Sequence, residues 1–449
     1  MIKHLLPLIL FAAAGTLMAR QESPSRVNTD TASLVTGRAG IEPFTWGDLT
    51  WLNGNDRRHA ALLDSRYFTG SFMLDVNQTN SFNHPVDNTV VGSTALARDN
   101  EFQVSYMGIG GDFHYRNARG RIMFQLGTRS TVVPRNDASW TRGQFELGNA
   151  YRYLSEANAG YHWDTWHGIN LDAGIFMSYI GLFSYYNCEN WAYQPSFTSD
   201  NTPWFFNGLR LQTFPTDRLK IELWLINGWQ TYGKFNKLPG FGFQILWRPE
   251  ESLSLVTNEY VGTDTPDKPG RVRFHSDNSF EARCYERKGG FISRAAFSVT
   301  ADLGFESGEG VSPFGGSGGP EQNFISAMAY NRIWLMDGQF GWTFGGGFIH
   351  NPGRYLILVP TGVAGGIFDA SPGTTFNGWD VSTTLDWMPD EYQTWRIEVV
   401  HREANVPYFA GPGGVTSPDG YTTTAVPAGW MPDQVKSETR IILALLFRI

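Results

Sequence analysis

The chain has 449 residues, 15% aromatic, with 50 glycines, 17% charged residues and a formal charge of −8. That composition favours strands and turns over helices and is too aromatic for disorder. A mildly acidic chain has no electrostatic footprint for nucleic acid, so no nucleic-acid partner is expected.

The N-terminus reads as a secretory signal peptide over residues 1–19. Lys3 supplies the charged start, Leu5 to Ala14 the apolar core, and Ala19 the last residue before cleavage. Removing it takes away only the charge of Lys3, so −8 becomes −9. No later run is long and apolar enough for a spanning helix, so any membrane insertion is by strands. Export permits a disulfide, but Cys188 and Cys284 are expected at opposite rims and unpaired. No CxxC or HExxH spacing is present, so no metal or cofactor is expected.

Residues 20–65 form an N-terminal segment. Within it Phe44-Thr45-Trp46-Gly47-Asp48-Leu49-Thr50-Trp51 alternates briefly, as a small strand or part of a plug. Residues 66–449 read as the barrel. Period-2 alternation marks strands at Phe68–Val76, Glu101–Ile109, Arg119–Thr128 and Phe145–Trp163. In the second, Phe102, Val104 and Tyr106 form the apolar row. Three more follow near Ile169–Ile175, Gly208–Gln212 and Lys220–Leu223. After Trp229 come Gly240–Arg248, Ser252–Tyr260, Val272–Tyr285, Arg294–Glu306, Phe324–Trp334 and Gln339–Ile349. Trp379–Trp387, Tyr392–Glu403 and Ser437–Ile449 complete the set. The Ser252 and Phe324 strands alternate poorly.

That makes about sixteen strands, and their connections alternate in length. Short ones include 164–167, 214–218, 249–251, 337–338 and 388–391. Long ones include 77–100, 179–207, 307–323, 350–376 and 404–436. The expected fold is all-β: an antiparallel up-and-down transmembrane β-barrel with short periplasmic turns and long external loops, in the bacterial outer membrane. Soluble sandwiches and propellers seldom keep such a rhythm. The last strand carries an unbroken apolar row, Ile441, Leu443, Leu445, Phe447 and Ile449, expected to face lipid and to mark the chain for the barrel-assembly machinery. Trp247, Trp387 and Trp395 sit beside short turns, where an interfacial girdle belongs.

The stretch Ile169–Trp229 resembles the OmpL-like β-barrel porin family. The alternating strand ending in Gly174 and Gly181, the aromatic-polar loop with Pro203, Gly208-Leu209-Arg210 and Asn227-Gly228-Trp229 follow in the family's order. The resemblance is clearest from Tyr151 to Trp229. Members often carry an acidic residue soon after the second glycine; Leu182 and Phe183 stand there in this chain, so no ion-binding role is carried over. The resemblance implies a pore-type outer-membrane barrel.

With the apolar rows facing lipid, the inner wall takes Glu101, Arg121, Arg152, Glu156, Asp172, Arg210, Arg396, Glu398 and Arg440, a mixed-charge lining for a wet channel. The loop Tyr179–Phe205 carries Tyr185, Tyr186, Trp191, Tyr193, Phe197 and Trp204, a large apolar load for a loop in water. Folded inward it narrows the pore, with Glu189 and Asp200 at the opening, facing Arg152 and Arg210. The expected function is passive diffusion of small hydrophilic solutes and ions, in a possible homo-trimer. Two rivals are a transporter of hydrophobic substrates with an N-terminal plug and an outer-membrane hydrolase. Against the hydrolase, His275 and Ser276 are adjacent in a strand and point to opposite faces, and His401 with Glu403 has no nucleophile beside it. A TonB-dependent receptor would need a longer chain.

Overall fold

The structure is a computed structural model describing residues 43–137, 139–361 and 367–449, so the expected signal peptide and residues 20–42 lie outside the described residues. Sixteen antiparallel strands follow one another around a barrel: β1 (Phe68–Ser81), β2 (Phe102–Tyr115), β3 (Ala118–Leu126), β4 (Leu154–Trp163), β5 (Ile169–Met177), β6 (Phe205–Thr216), β7 (Leu219–Ile226) and β8 (Gly240–Glu250) in the first half. The second half is β9 (Leu253–Gly262), β10 (Val272–Glu286), β11 (Ile292–Ser307), β12 (Asn323–Leu335), β13 (Phe340–Asn351), β14 (Phe376–Trp387), β15 (Gln393–Ala404) and β16 (Ser437–Arg448). The barrel closes where β16 pairs with β1, from Arg440 against Ser81 to Arg448 against Met73, which leaves no open edge. A two-residue strand, Leu63–Asp64, adds to the start of β1.

Every connection at one end is short, as at 116–117, 217–218 and 251–252, and every one at the other end is longer, as at 82–101, 178–204 and 405–436. This is the rhythm of a barrel with short turns on one side of a membrane and loops on the other. Trp247, Trp387 and Trp395 all project outward at the short-turn end. Trp387 pairs directly with Trp395, ring centroids 6.3 Å apart, as the first members of an aromatic belt.

The faces follow the pleat. In β16 Leu443 is 46% exposed on the outer surface, while Ala444 is 7% exposed and packs inside against Val400, Ile442, Leu446 and the loop residue Tyr193. Leu443→Arg puts a charge toward lipid and should cost about 2–4 kcal/mol near the midplane in a membrane-folding titration. A purely wet interior would make Ala444→Arg mild. The filled interior makes it costly too, by overpacking. Deleting residues 187–200 should rescue Ala444→Arg and leave Leu443→Arg unimproved; rescue of neither, or of both, would show the face assignment to be wrong.

Three expectations are corrected. β1 runs on to Ser81, because Asn77, Thr79 and Ser81 continue the buried inner row after the outer row has turned polar at Gln78 and Asn80. In β2 the register against β1 shifts between Asp75 and Val76, so Ser105 is an extra residue and Tyr106 turns inward instead of continuing the apolar outer row. The expected strand Phe145–Trp163 is divided: Leu147–Tyr151 is a short helix and β4 begins at Leu154, with a second shift near Ser155. β9 and β12 form where the alternation was weak. β12 turns Phe324, Met328 and Tyr330 inward onto aromatic loop residues, so both of its faces are apolar. The segment Phe44–Trp51 is turns and bends, with no strand.

Candidate functional site: the loop inside the barrel

The loop between β5 and β6 begins its turn at Gly181, whose φ of 92° lies where side chains other than hydrogen are strained. Its aromatic residues are covered rather than wet. Tyr185, Tyr186, Trp191 and Trp204 pack in one cluster with Trp51, Tyr106, Met123 and Tyr330. Burying these rings against the inner wall removes them from water; the polar tips of Tyr185, Tyr186 and Trp191 find partners, while the Trp204 indole N–H has none among the described residues. The Tyr185 hydroxyl donates to Gln125 at 2.8 Å and the Tyr186 hydroxyl to Glu156 at 2.7 Å.

The far side of the loop is held by acids on strands across the ring. The backbone N–H groups of Tyr193 and Gln194 donate to the Glu398 carboxylate of β15 at 2.6 and 2.9 Å. The Phe197 N–H and Ser196 hydroxyl donate to Asp380 of β14 at 2.9 and 2.8 Å. Asp75 of β1 accepts from the Tyr193 hydroxyl and from Asn187, both at 2.8 Å. Arg396 of β15 donates to the Asn190 carbonyl at 2.7 Å. Asp200, 4% exposed, pairs with fully buried Arg402 at 3.0 Å, and the Arg402 guanidinium lies 4.0 Å from the Phe197 ring centre. Glu189 pairs with Arg448 of β16 and accepts from the Ser184 hydroxyl. Burial pushes the carboxyls of Glu189 and Asp200 up, against the opposing pull of Arg448 and Arg402. The acids therefore do not face Arg152 and Arg210 as expected; the loop crosses far enough to meet arginines of β15 and β16 instead.

On the wall, Arg121 bonds Asp112 and Glu156 at 2.6 and 2.8 Å, and Asp172 sits between Arg210 at 2.8 Å and Arg119 at 3.3 Å. Arg396 and Arg332 share Asp386 at 2.7 and 2.8 Å, and Arg440 lies 3.4 Å from Glu438. Two expected wall residues lie outside the strands. Glu101 precedes β2 and pairs with Arg98 at 2.6 Å, and Arg152 follows the short helix, bonding Thr131 at 2.7 Å. Sequence reasoning missed Asp380, Asp386, Arg402 and Arg448. All four lie on the same period-2 rows as residues it named or placed in strands, so extending each row would have found them.

The N-terminal segment meets the loop from the short-turn end. Phe44 N–H donates to Asp217 O at 2.8 Å and the Trp51 indole to Glu251 O at 2.9 Å, both in short turns. Further on, the Trp191 indole donates to Trp51 O at 3.1 Å, the Trp191 N–H to Asn53 at 2.8 Å, and Gly54 N–H to Glu189 O at 3.1 Å. Between this segment, the base of the loop and strands β4–β10 lies a cavity of about 320 Å³. Cys188 and Cys284 are both free.

A closed sixteen-strand barrel with apolar outer rows, tryptophans at its short-turn rim and a charged interior is the architecture of an outer-membrane porin. The chain belongs to the family described as "Putative beta-barrel porin-2, OmpL-like", which matches residues 67–428. Among solved structures it is similar to the outer membrane channel DcaP of Acinetobacter baumannii, with 8% identity, a TM-score of 0.50 and coverage of 87% of this chain and 100% of that one. It is also similar to OprB of Pseudomonas putida, with 11% identity, a TM-score of 0.49 and coverage of 85% and 94%. At 8% identity the likeness to DcaP is one of fold. No curated protein matches the chain.

Proposed function

We propose that the protein is a diffusion channel for small hydrophilic solutes and ions, and that the loop 179–205 sets its narrowest section. The observation that carries this reading is the docking of Tyr193, Gln194 and Phe197 on Glu398 and Asp380, across the ring from the loop's own strands. On this reading Tyr185, Trp191 and Trp204 hold the loop body, and Glu189 and Asp200 fasten it rather than line the opening. Residues 43–60 act as a plug at the periplasmic mouth, braced on the turns and on Trp191. Transport of oily substrates past that plug fits less well, because the 320 Å³ cavity beside it is lined by Arg210, Lys220, Glu222, Arg248 and Glu281. Swelling of liposomes holding the refolded barrel, with sugars of graded size, tests the channel. Entry of small sugars with a sharp cutoff supports it, and exclusion of all of them overturns it.

The outer wall supports a homo-oligomer, the trimer expected of porins, whose contact centres on β9 and β10. Thr257, Glu259, Ser276 and Asn278 project outward at mid-height, between the apolar pairs Leu255–Phe280 below and Val261–Phe274 above. They bond one another: Thr257 donates to Asn278 at 2.7 Å, Asn278 to Ser276 at 2.9 Å and Ser276 to Glu259 at 2.8 Å, leaving Glu259 Oε2 without a partner. A carboxylate facing hydrocarbon is unfavourable. A second copy, bringing the same donors and acceptors, covers this polar patch and keeps it from lipid, and Ala301 and Ala327 on the same row permit close approach. Glu259→Leu should leave the barrel folded and shift it from oligomer to monomer on a mild-detergent gel; an unchanged oligomer would place the contact elsewhere. The apolar outer rows suit outer-membrane lipid, and Ser437–Ile449 is the segment for the barrel-assembly machinery to read.

A further inference from the structure

One part of the lumen wall holds two opposite charges that lie in each other's field but are not in ion-pair contact. Most charges around the 320 Å³ cavity are paired: Arg210 with Asp172 at 2.8 Å, Lys220 with Glu222 at 3.0 Å and Glu156 with Arg121 at 2.8 Å. Arg248 is different. Among the described residues it has no acid partner and no side-chain hydrogen bond; its guanidinium lies 4.9 Å from the Phe44 ring centre, and its Nε is buried and unpartnered. Glu281, 3% exposed, accepts the Asn53 N–H at 2.8 Å and has no cation at ion-pair distance among the described residues.

The strand register sets the spacing of these two groups. Trp247 pairs with Leu255 and Glu250 with Leu253, which brings Arg248 beside Ser254, and Ser254 pairs with Glu281. Arg248 and Glu281 therefore stand two strand spacings apart, about 10 Å between backbones, with a small side chain between them. That Ser254 hydroxyl is buried and unpartnered, and so are Gln244 Oε1 and Asn53 Nδ2, which also line the cavity. A buried polar atom without a partner is costly, and three of them beside an unpaired cation and an unpaired acid ask for a polar occupant.

We propose that this cavity binds a small zwitterionic solute of amino-acid or dipeptide size, with its carboxylate on Arg248 and its ammonium on Glu281. The inference rests on the channel reading and names the solute class that pauses on the way through. A lone anion or cation contacts one of the two groups and leaves the other buried without a contact partner, whereas a zwitterion contacts both. Ser254, Gln244 and Asn53 then bond the peptide-like middle of the solute. The volume falls at the small end of ligand pockets, about 300–1,000 Å³.

The test is calorimetric titration of the refolded full-length barrel in detergent with diglycine, N-acetylglycine and glycinamide, which carry both charges, the anion alone and the cation alone. Diglycine should bind at least tenfold more tightly than either single-charge analogue, and Arg248→Gln and Glu281→Gln should each erase that advantage while Arg248→Lys keeps most of it. Equal binding of the three probes, no diglycine binding, or an advantage that survives both neutral substitutions overturns the proposal. The comparison of probes on the unsubstituted protein decides the matter even if a variant fails to fold. Current through single barrels in potassium chloride alone reports separately on the channel: binding without current sinks the channel and leaves the site, and current without binding does the reverse.

Discussion

Deleting Asn187–Asp200 should raise single-channel conductance several-fold and raise the size cutoff for neutral solutes, with the barrel still folded. The segment removed includes Trp191, Tyr193 and Phe197, which are 3% exposed or less, and every backbone bond from the loop to Glu398 and Asp380. The hydrogen-bond ladder of the sixteen strands does not pass through it, and the closure of β16 on β1 is untouched. Inward acids such as Asp75, Asp380 and Glu398 lose loop donors but gain water, so the wall becomes a wide charged tube of the usual kind for this strand number. The measurement is a step-conductance histogram in a planar bilayer for both proteins. Unchanged steps and an unchanged cutoff would mean that the loop does not constrict the path.

Removing the cation that fastens the loop should have the next largest effect. Arg402→Ala leaves Asp200 buried at 4% exposure with only Thr94 and Gln194 as partners, and takes away the cation over the Phe197 ring. Breaking one side of a buried pair costs about 3–5 kcal/mol, and the loop is the element free to move. At neutral pH the variant should show large, flickering conductance. Its pH dependence follows from Asp200, whose carboxyl is already pushed up by burial, with Arg402 pulling against it. An acid whose pKa is raised in the docked state favours docking below its ordinary range, and that contribution is lost as pH rises through the raised value. Without Arg402 the raise grows, so acidification should return the variant toward the quiet conductance of the parent. Arg402→Ala with Asp200→Asn should be quieter at pH 7 than Arg402→Ala alone. A single variant indistinguishable from the parent at all pH values would remove Arg402 from this role.

How much of this was legible in the sequence depends on the range of the interaction. The apolar row Ile441 to Phe447 and the long-short rhythm of connections are local signals, and most strands could be placed from them. The burial of loop 179–205 was legible because six aromatic rings cannot stay wet. What failed was phase, at single inserted residues. Ser105 flips Tyr106 to the inside, and nothing in the alternation Phe102, Val104, Tyr106 records a bulge that is set by the partner strand. The partners of Glu189 and Asp200 failed for another reason. Arg448 and Arg402 are more than 200 residues away in sequence, and which inward arginine meets which loop acid depends on the stagger of the closed barrel. The inward aromatics of β12 broke the rule that inner rows are polar, because the interior there is filled by loops.

The most direct test of the whole account is the current through the intact protein in a planar bilayer, with the reversal potential read in a potassium chloride gradient. The expected result is discrete small steps with a reversal potential near zero, slightly on the cation-selective side, since acids and bases alternate around the wall and leave little net field. Folded barrels that give no steps would contradict a channel, and a reversal potential near that of a perfectly anion-selective membrane would contradict the mixed-charge path.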